Sequence, residues 1–394
     1  MPNPEAVITS FARTAIGSFG GGLAGMPATR IGAVVVKAAI QRSGLEPGQV
    51  EEVIMGNVLT AGVGQAPARQ AALFAGLPNT VETFTVNKVC GSGLKAVMLA
   101  DQAIRAGDAE VIIAGGMEAM SNVPYYLTGA REGLKIGHKE IVDGMIHDGL
   151  WDVYNDTHMG SCGDLCAREK GFSRAAQDEF AAESYRRAIA AQESGAFARE
   201  IVAVELSRRK GDPILFDKDE DPAKVNFEKL PGLRPAFDKE GTVTAANASG
   251  INDGAAAVAV MSATKAKALS VSPVARIVGH ASGAHAPEWF TTAPAKAIAK
   301  VLEKTGLALA DIDLFEINEA FAVVALAAID ELKLDPQKVN VHGGAVALGH
   351  PIGASGARIL VTLLGVMEQH DVHRGMAAIC IGGGEAAAII VERP

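Results

Sequence analysis

The chain has no excess of basic residues: 36 lysines and arginines stand against 45 aspartates and glutamates, a formal net charge of −9. That balance offers no patch for the phosphates of nucleic acid, although it leaves room for a local cationic pocket. Cysteine is scarce. Cys90, Cys162, Cys166 and Cys380 are the whole complement, with no CxxC pair and too few for a disulfide scaffold, so free thiols in a reducing compartment are expected and the cytoplasm is the default location. No uninterrupted apolar run approaches the length of a membrane span, and no cationic-then-apolar leader opens the chain. The expectation is a soluble chain, complete from its first residues, without nucleic-acid or membrane partners. Its 394 residues, 48% hydrophobic and 21% charged, suffice for two domains or one large α/β core.

Apolar periodicity predicts strands over residues 5–10, 50–59 and 111–114 and helices over 31–43, 67–75 and 94–106, with glycine or proline punctuating most of them. A further strand from Phe84 runs to Cys90, directly before the 94–106 helix. This βαβαβαβ alternation predicts a mainly parallel sheet covered by helices. It fails from 117 to 244, where an inserted lobe is expected. Within that lobe Ser173 opens a helix reaching about 192, and the charge run 217–229 reads as a solvated loop. Strand and small-residue character return at 241–260. The order of elements then repeats, with strands at 275–279, 312–317, 338–341 and 377–381 and helices at 293–305, 320–332 and 354–366. The expected division is 1–120 as a first half completed by 245–270, 121–244 as an inserted loop domain, and 271–394 as a second half.

Reactive side chains sit at the expected strand ends. Cys90, in VCGSG, would face free N–H groups and the positive end of a helix, which lowers a thiol pKa of about 8.5 towards neutrality. The adjoining glycines would admit an acyl group and allow positive φ. Taken singly, Asn318 could cap a helix, His350 in Gly-His-Pro could be a turn residue, and Cys380 could be a core residue. Two cysteines and a histidine at matching places in two similar halves point instead to nucleophilic chemistry, since ligands collect at the carboxyl ends of parallel strands. His158, Cys162 and Cys166, spaced i, i+4, i+8, could form a metal face on a helix, but no fourth ligand is apparent.

NKVCGSGLKA (87–96), HMG (158–160), GTVTAANASGINDGAAA (241–257), NEAFA (318–322), GHPIGASGAR (349–358) and CIGGGEA (380–386) together resemble the thiolases, acyl-CoA C-acyltransferases, over nearly the whole chain. The resemblance implies a five-layered α/β/α/β/α core of two similar halves with a loop domain. It also implies a homo-oligomer, usually a tetramer, and coenzyme A thioesters as substrates with no required cofactor. Carried over, Cys90 is the acyl-accepting nucleophile, His350 its activator, Cys380 the acid/base and Asn318 the holder of a catalytic water. The backbone N–H groups of Cys90 and Gly382 would stabilise the tetrahedral intermediate. Leu150, His158, Met159, Ala245, Ser249, Phe290 and Phe321 would line the coenzyme A and acyl site, with Met159 and Phe290 closing a short acyl pocket.

The mitochondrial short-chain branch, similar to this chain in VNVHGGAVALGHPIG, implies a potassium site at Tyr185, Ala245, Ala246, Ala248 and Val346. Phe290-Thr291-Thr292-Ala293-Pro294 departs from the Met-Gly-Thr-Gly-Pro of the bacterial biosynthetic pattern. The adenine-side loop, 208–230, matches it poorly, so no phosphate-binding arginine is assigned. The ketoacyl synthases of the same fold use Cys-His-His, and Asn318 stands where their second histidine would be. The activity implied is condensation of two acetyl-CoA to acetoacetyl-CoA and its reversal. A degradative thiolase of broader chain length is the alternative; a cysteine hydrolase or thioesterase would leave Cys380 without an evident role, and the retention of all four polar site residues argues against a non-catalytic acyl-CoA binder.

Overall fold

Long strands buried on both faces need cover from two sides, and helices supply it here. The structure, a computed structural model, describes residues 4–208 and 211–394. In the first half β1 (Ala6–Thr14), α1 (Ala28–Ser43), β2 (Glu52–Gly56), α2 (Pro67–Phe74), β3 (Glu82–Val86), α3 (Ser92–Ala106) and β4 (Val111–Ala119) follow in order. The region after β4 carries α4 (Met159–Lys170) and α5 (Arg174–Glu193). Then come β5 (Asn252–Ser262), β6 (Ala275–Ala284), α6 (Ala293–Thr305), β7 (Leu314–Ile317), α7 (Ala322–Leu332), α8 (Ile352–Gln369), β8 (Arg374–Ile381) and β9 (Glu385–Glu392).

The main sheet runs β7-β8-β9-β6-β1-β5-β4-β2-β3. Its halves meet where Val7 and Ile8 of β1 pair with Arg276 and Ala275 of β6. Three apolar clusters define five layers. α3 and α8 pack between the halves, sharing one core with Ile8, Ile112 and Val258 on one side and Ile277, Ile379 and Ile389 on the other. α1 and α2 cover the outer face of the first half, and α6 and α7 that of the second. The central helices touch at glycines: a Cβ on Gly93 would stand 2.8 Å from the Ala357 nitrogen, and one on Gly356 would stand 2.5 Å from that of Leu94. Gly93 therefore serves helix packing, not acyl access.

The sheet is mixed, not mainly parallel. β2 pairs with β3 and β4, and β7 with β8, in parallel. β5, however, inserts antiparallel between β1 and β4, and β9 antiparallel between β8 and β6. A fully buried run such as NDGAAAVAVMS fits a central strand of either sense, so its direction is invisible to periodicity.

The strand expected at 338–341 is reduced to one parallel bridge, Val339 to Phe315. Asn340, at φ +48°, replaces the rest with its side chain, accepting from the Ile317 N–H and donating to the Ile317 carbonyl, both at 2.8 Å. The charge run 217–229 is exposed over most of its length, but its acidic stretch 219–221 is drawn inward. Asp219 is buried and forks onto the buried guanidinium of Arg13 at 2.8 and 2.9 Å, while Glu200 takes the Nε at 2.6 Å. Glu220 accepts from the backbone of Ser18 and Gly22, and Asp221 from Asn252 at 2.7 Å. Of the expected adenine-side loop, residues 209 and 210 lie outside the described residues. No helix among the described residues is long and apolar enough to cross a membrane.

Candidate active site

β3 ends at Val86, and Cys90 sits in the turn before α3. Val89, a β-branched residue at φ +45°, gives the turn its bend, while the adjacent Gly91 lies at φ −82°. The positive φ expected of the glycines therefore falls on the valine. Side chains hold it there: Asn87 Oδ1 accepts from the Val89 N–H at 3.0 Å, and Ser92 Oγ accepts from the Lys88 N–H at 2.8 Å while donating to the Val89 carbonyl at 2.7 Å.

Cys90 opens onto a cavity of about 350 Å³. Gly382 and His350 share its wall with all seven residues expected to bind substrate, Leu150, His158, Met159, Ala245, Ser249, Phe290 and Phe321. Cys380 and Asn318 are fully buried and take no part in the lining. Cys380 lies close enough to Cys90 to feel its charge.

Sequence reading missed Phe237, which stacks on His158 with ring centroids 4.5 Å apart. It also missed the apolar floor of Met120, Ile251 and Ile352. Phe237 stands in an aperiodic stretch and carries no local signal. His158 is not part of a metal face. It is the N-cap of α4, its Nδ1 accepting from the Gly160 N–H at 3.0 Å, while Cys162 and Cys166 are buried in an apolar cluster. Among the described residues no group of three or more His, Cys, Asp or Glu is placed to hold a metal. Tyr185, Ala245, Ala246 and Val346 line a second cavity together with Asp221, whereas Ala248 faces the Cys90 cavity. Lys224 and Lys229 line that second cavity as well.

The electrostatics reverse the expected thiolate. Burial pushes the Cys90 thiol up to about 11, outweighing the N–H groups of Gly382 and of Cys90 itself, which favour the anion. Burial, with Cys90 next, lifts Cys380 well above the ordinary thiol range. Burial, and then the guanidinium of Arg358, drives His350 down to about 3. The resting site is thus two thiols and a neutral imidazole.

The tautomer of that imidazole follows from its neighbours. Ser355 Oγ donates to the Pro351 carbonyl at 2.9 Å, so toward His350 Nδ1, 2.6 Å away, it can only accept. His350 therefore carries its hydrogen on Nδ1 and presents Nε2, which has no partner among the described residues, as a free lone pair. Its backbone is fixed by Asn252, whose Oδ1 accepts from the His350 N–H at 3.0 Å. Gly349 makes this possible, because at φ +102° it passes Asn252 with no room for a Cβ. The Asn318 amide is oriented the same way. Arg358 Nη2 donates to its Oδ1 at 3.4 Å, leaving Nδ2 as a buried donor without a partner among the described residues.

Comparison with known proteins agrees with this arrangement. The family model described as thiolase, N-terminal domain, matches residues 6–264, and that described as thiolase, C-terminal domain, matches residues 271–393. An acetyl-CoA acetyltransferase of Cupriavidus necator is 56% identical over 390 residues, 99% of each chain. Acetyl-CoA acetyltransferase 2 of Arabidopsis thaliana is 53% identical over 99% of this chain and 98% of its own. Among solved structures, the acetyl-CoA acetyltransferase of Bacillus anthracis superposes with a TM-score of 0.97 at 42% identity, covering all of both chains. The Acat5 thiolase of Ascaris suum in complex with coenzyme A does so with 0.94 at 43%, covering 99% of this chain and all of that one.

Proposed function

The chain belongs to the thiolase family, and from that premise we propose that it is an acetyl-CoA C-acetyltransferase, joining two acetyl-CoA into acetoacetyl-CoA and coenzyme A and running the reverse thiolysis. The observation that carries the reading is the pair of thiols, Cys90 on the cavity wall and Cys380 buried against it, beside the free Nε2 of His350.

Cys90 Sγ attacks the thioester carbonyl as its proton passes to His350 Nε2. The oxyanion takes hydrogen bonds from the N–H groups of Cys90 and Gly382. Coenzyme A leaves with the proton of Cys380, so that acetyl-Cys90, an imidazolium and a Cys380 thiolate remain. The buried Cys380 thiolate is strongly basic, which suits it to remove the C2 proton of the second acetyl-CoA. The enolate oxygen is met by His350 and by a water on the unpartnered Nδ2 of Asn318. The enolate carbon then attacks acetyl-Cys90, and the Cys90 thiolate expelled recovers its proton from His350.

Met159 and Phe290 favour short acyl groups. The Met159 Cε stands 3.5 Å from where a Gly382 Cβ would be, and Phe290 is buried edge-on to Phe321. Four unpaired thiols suit the cytoplasm. Exposed Tyr125, Leu127, Leu134, Ile136, Ile141 and Tyr154 suit burial against further copies, in keeping with a homotetramer. A role in fatty acid metabolism would follow from the acetoacetyl-CoA product. Tyr185, Ala245, Ala246 and Val346 would hold potassium.

Incubation with acetyl-CoA alone, read by intact mass, tests the reading. An acetyl adduct on Cys90 that yields acetoacetyl-CoA supports it. Release of free acetate would make the protein a thioesterase, and no adduct would make it a binder.

A further inference from the structure

The two N–H groups that face the Cys90 sulfur come from opposite halves of the molecule, Cys90 from the turn before α3 and Gly382 from the three-glycine link between β8 and β9. Their spacing is therefore not set by either turn alone. Apolar contact supplies part of the register, since Ile381 lies against the Gly91 backbone and Val89 reaches to 3.5 Å of where a Gly382 Cβ would be.

The one ion pair between the turns, among the described residues, joins Lys88 to Glu385. Lys88 stands two residues before the nucleophile, and its own N–H is held by Ser92 Oγ within the bent turn. Glu385 pairs with Ile381 across the β8–β9 hairpin, so its position governs that of Gly382 one residue on. The opposite edge of the glycine link is anchored by the His285 N–H on the Gly384 carbonyl at 2.9 Å. On the cysteine side the turn is tied to the rest of its own half by the long bond from Asn87 Nδ2 to the Val58 carbonyl at 3.5 Å, and Val89 is there held at a φ that a β-branched residue avoids.

We infer that Lys88 and Glu385 are positioning residues, an electrostatic clasp that holds the nucleophile turn and the glycine link at the spacing where both N–H groups reach the sulfur and, later, the oxyanion. The inference rests on Cys90 being the nucleophile. The side chains are 23% and 39% exposed, which limits the clasp to the small effect of a part-solvated pair, about two- to fivefold in rate.

Geometry and simple Coulomb influence on Cys90 predict different signs. If the pair acts only through charge, removing the Lys88 cation disfavours the thiolate and removing the Glu385 anion favours it. If the pair acts as a clasp, removing either partner loosens the donors. The test is the rate of iodoacetamide alkylation at Cys90, located by mass spectrometry against Cys90→Ala, in the parent, Lys88→Gln and Glu385→Gln. It is run beside the rate of Cys90 acetylation by acetyl-CoA.

The expected result is that both variants are slower in both assays by about two- to fivefold, with KM for acetyl-CoA unchanged. The charge-exchanged Lys88→Glu/Glu385→Lys chain should recover to within about twofold. Opposite signs for the two single variants, or no change in either, would overturn the clasp while leaving the nucleophile in place. A parent chain that labels no more than Cys90→Ala would instead remove the reading of Cys90 itself, and the clasp with it.

Discussion

Replacing Ser355 by Ala should disable His350 without touching any atom of the reacting groups. Ser355 Oγ is the acceptor for His350 Nδ1–H at 2.6 Å, in a place wholly closed to solvent. Without it the working tautomer keeps a buried N–H with no partner, a cost of about 1–3 kcal/mol. The competing tautomer, with hydrogen on Nε2, cannot accept the Cys90 proton. The same cost therefore separates the resting site from the productive one, and the rate constant for Cys90 acetylation should fall about 5- to 150-fold. Rapid-quench mass spectrometry of the acetyl adduct measures it directly. Because the loss comes from a tautomer and not from a titration, it should be uniform between about pH 6 and 8.5, with KM for acetyl-CoA unchanged. Acetylation within twofold of the parent, in a variant of unaltered melting temperature, would refute the assignment of the Nδ1–H tautomer and leave Ser355 with only its bond to the Pro351 carbonyl.

The two cysteines should separate in the same assay: Cys90→Ala takes up no acetyl group, whereas Cys380→Ala is still acetylated, because a thiolate leaves without help. Cys380→Ala should lose condensation by at least about 10²-fold and fail to exchange the methyl protons of acetyl-CoA with deuterated water; normal condensation would make Cys380 a core residue. The stability contributed by His350 should fall in acid, measured against a His350→Asn chain. His350 is neutral when folded down to about pH 3 and titrates near 6.5 when unfolded, so its contribution is complete above 6.5 and is lost as pH drops below it. At pH 5 this single group removes about 2 kcal/mol, in the same direction as the half-buried His342, which is held down to about 4, whereas the buried carboxyls of Glu118 and Glu316, pushed up to about 7 and about 8, act in the opposite direction; a stability difference between the parent and His350→Asn that stays level from pH 7 to 5 would contradict the His350 contribution. Thiolysis of 3-oxoacyl-CoA should drop steeply between four and eight carbons, and equal kcat/KM for the two would show that Met159 and Phe290 do not close the acyl end. Kinetics in potassium chloride should exceed those in sodium chloride at equal ionic strength, and identical curves would dismiss the cation site.

Motifs made the site legible because its groups follow strand ends or open helices, where local sequence carries both the turn and the chemistry. Cys90, His350, Cys380, Asn318 and Gly382 could be named for that reason. Strand direction was not legible, since β5 and β9 are buried on both faces and an apolar run looks alike in either sense. Nor was the fate of the 217–229 run, where Asp219 is drawn into the core by Arg13, a residue 206 positions away. The strand expected at 338–341 shows the converse case. Its apolar residues carry the right pattern, but only one backbone bond to β7 forms, from the Asn340 N–H to the Phe315 carbonyl at 2.9 Å, and Asn340 makes the next two from its side chain.

Electrostatics set the deeper limit on motif reading. A cysteine before a helix suggests a thiolate, because the helix end and the free N–H groups are local and visible, whereas the burial that opposes them is assembled from both halves of the chain. Here burial wins at Cys90 and His350 alike, and it moves the two in opposite directions, the thiol to about 11 and the imidazole to about 3. A preformed ion pair would be the more reactive resting state, yet it would also place two charges in a cavity walled by Met120, Phe237, Phe290 and Phe321. The neutral pair avoids that penalty and defers ionisation until a thioester carbonyl lies over the N–H groups of Cys90 and Gly382, where the charge can be received. Reactivity toward an alkylating agent that lacks such a carbonyl should accordingly keep rising with pH through 9, with no plateau near neutrality. A plateau near pH 7 would mean that the thiolate exists before substrate arrives, and that the helix end, not burial, governs Cys90.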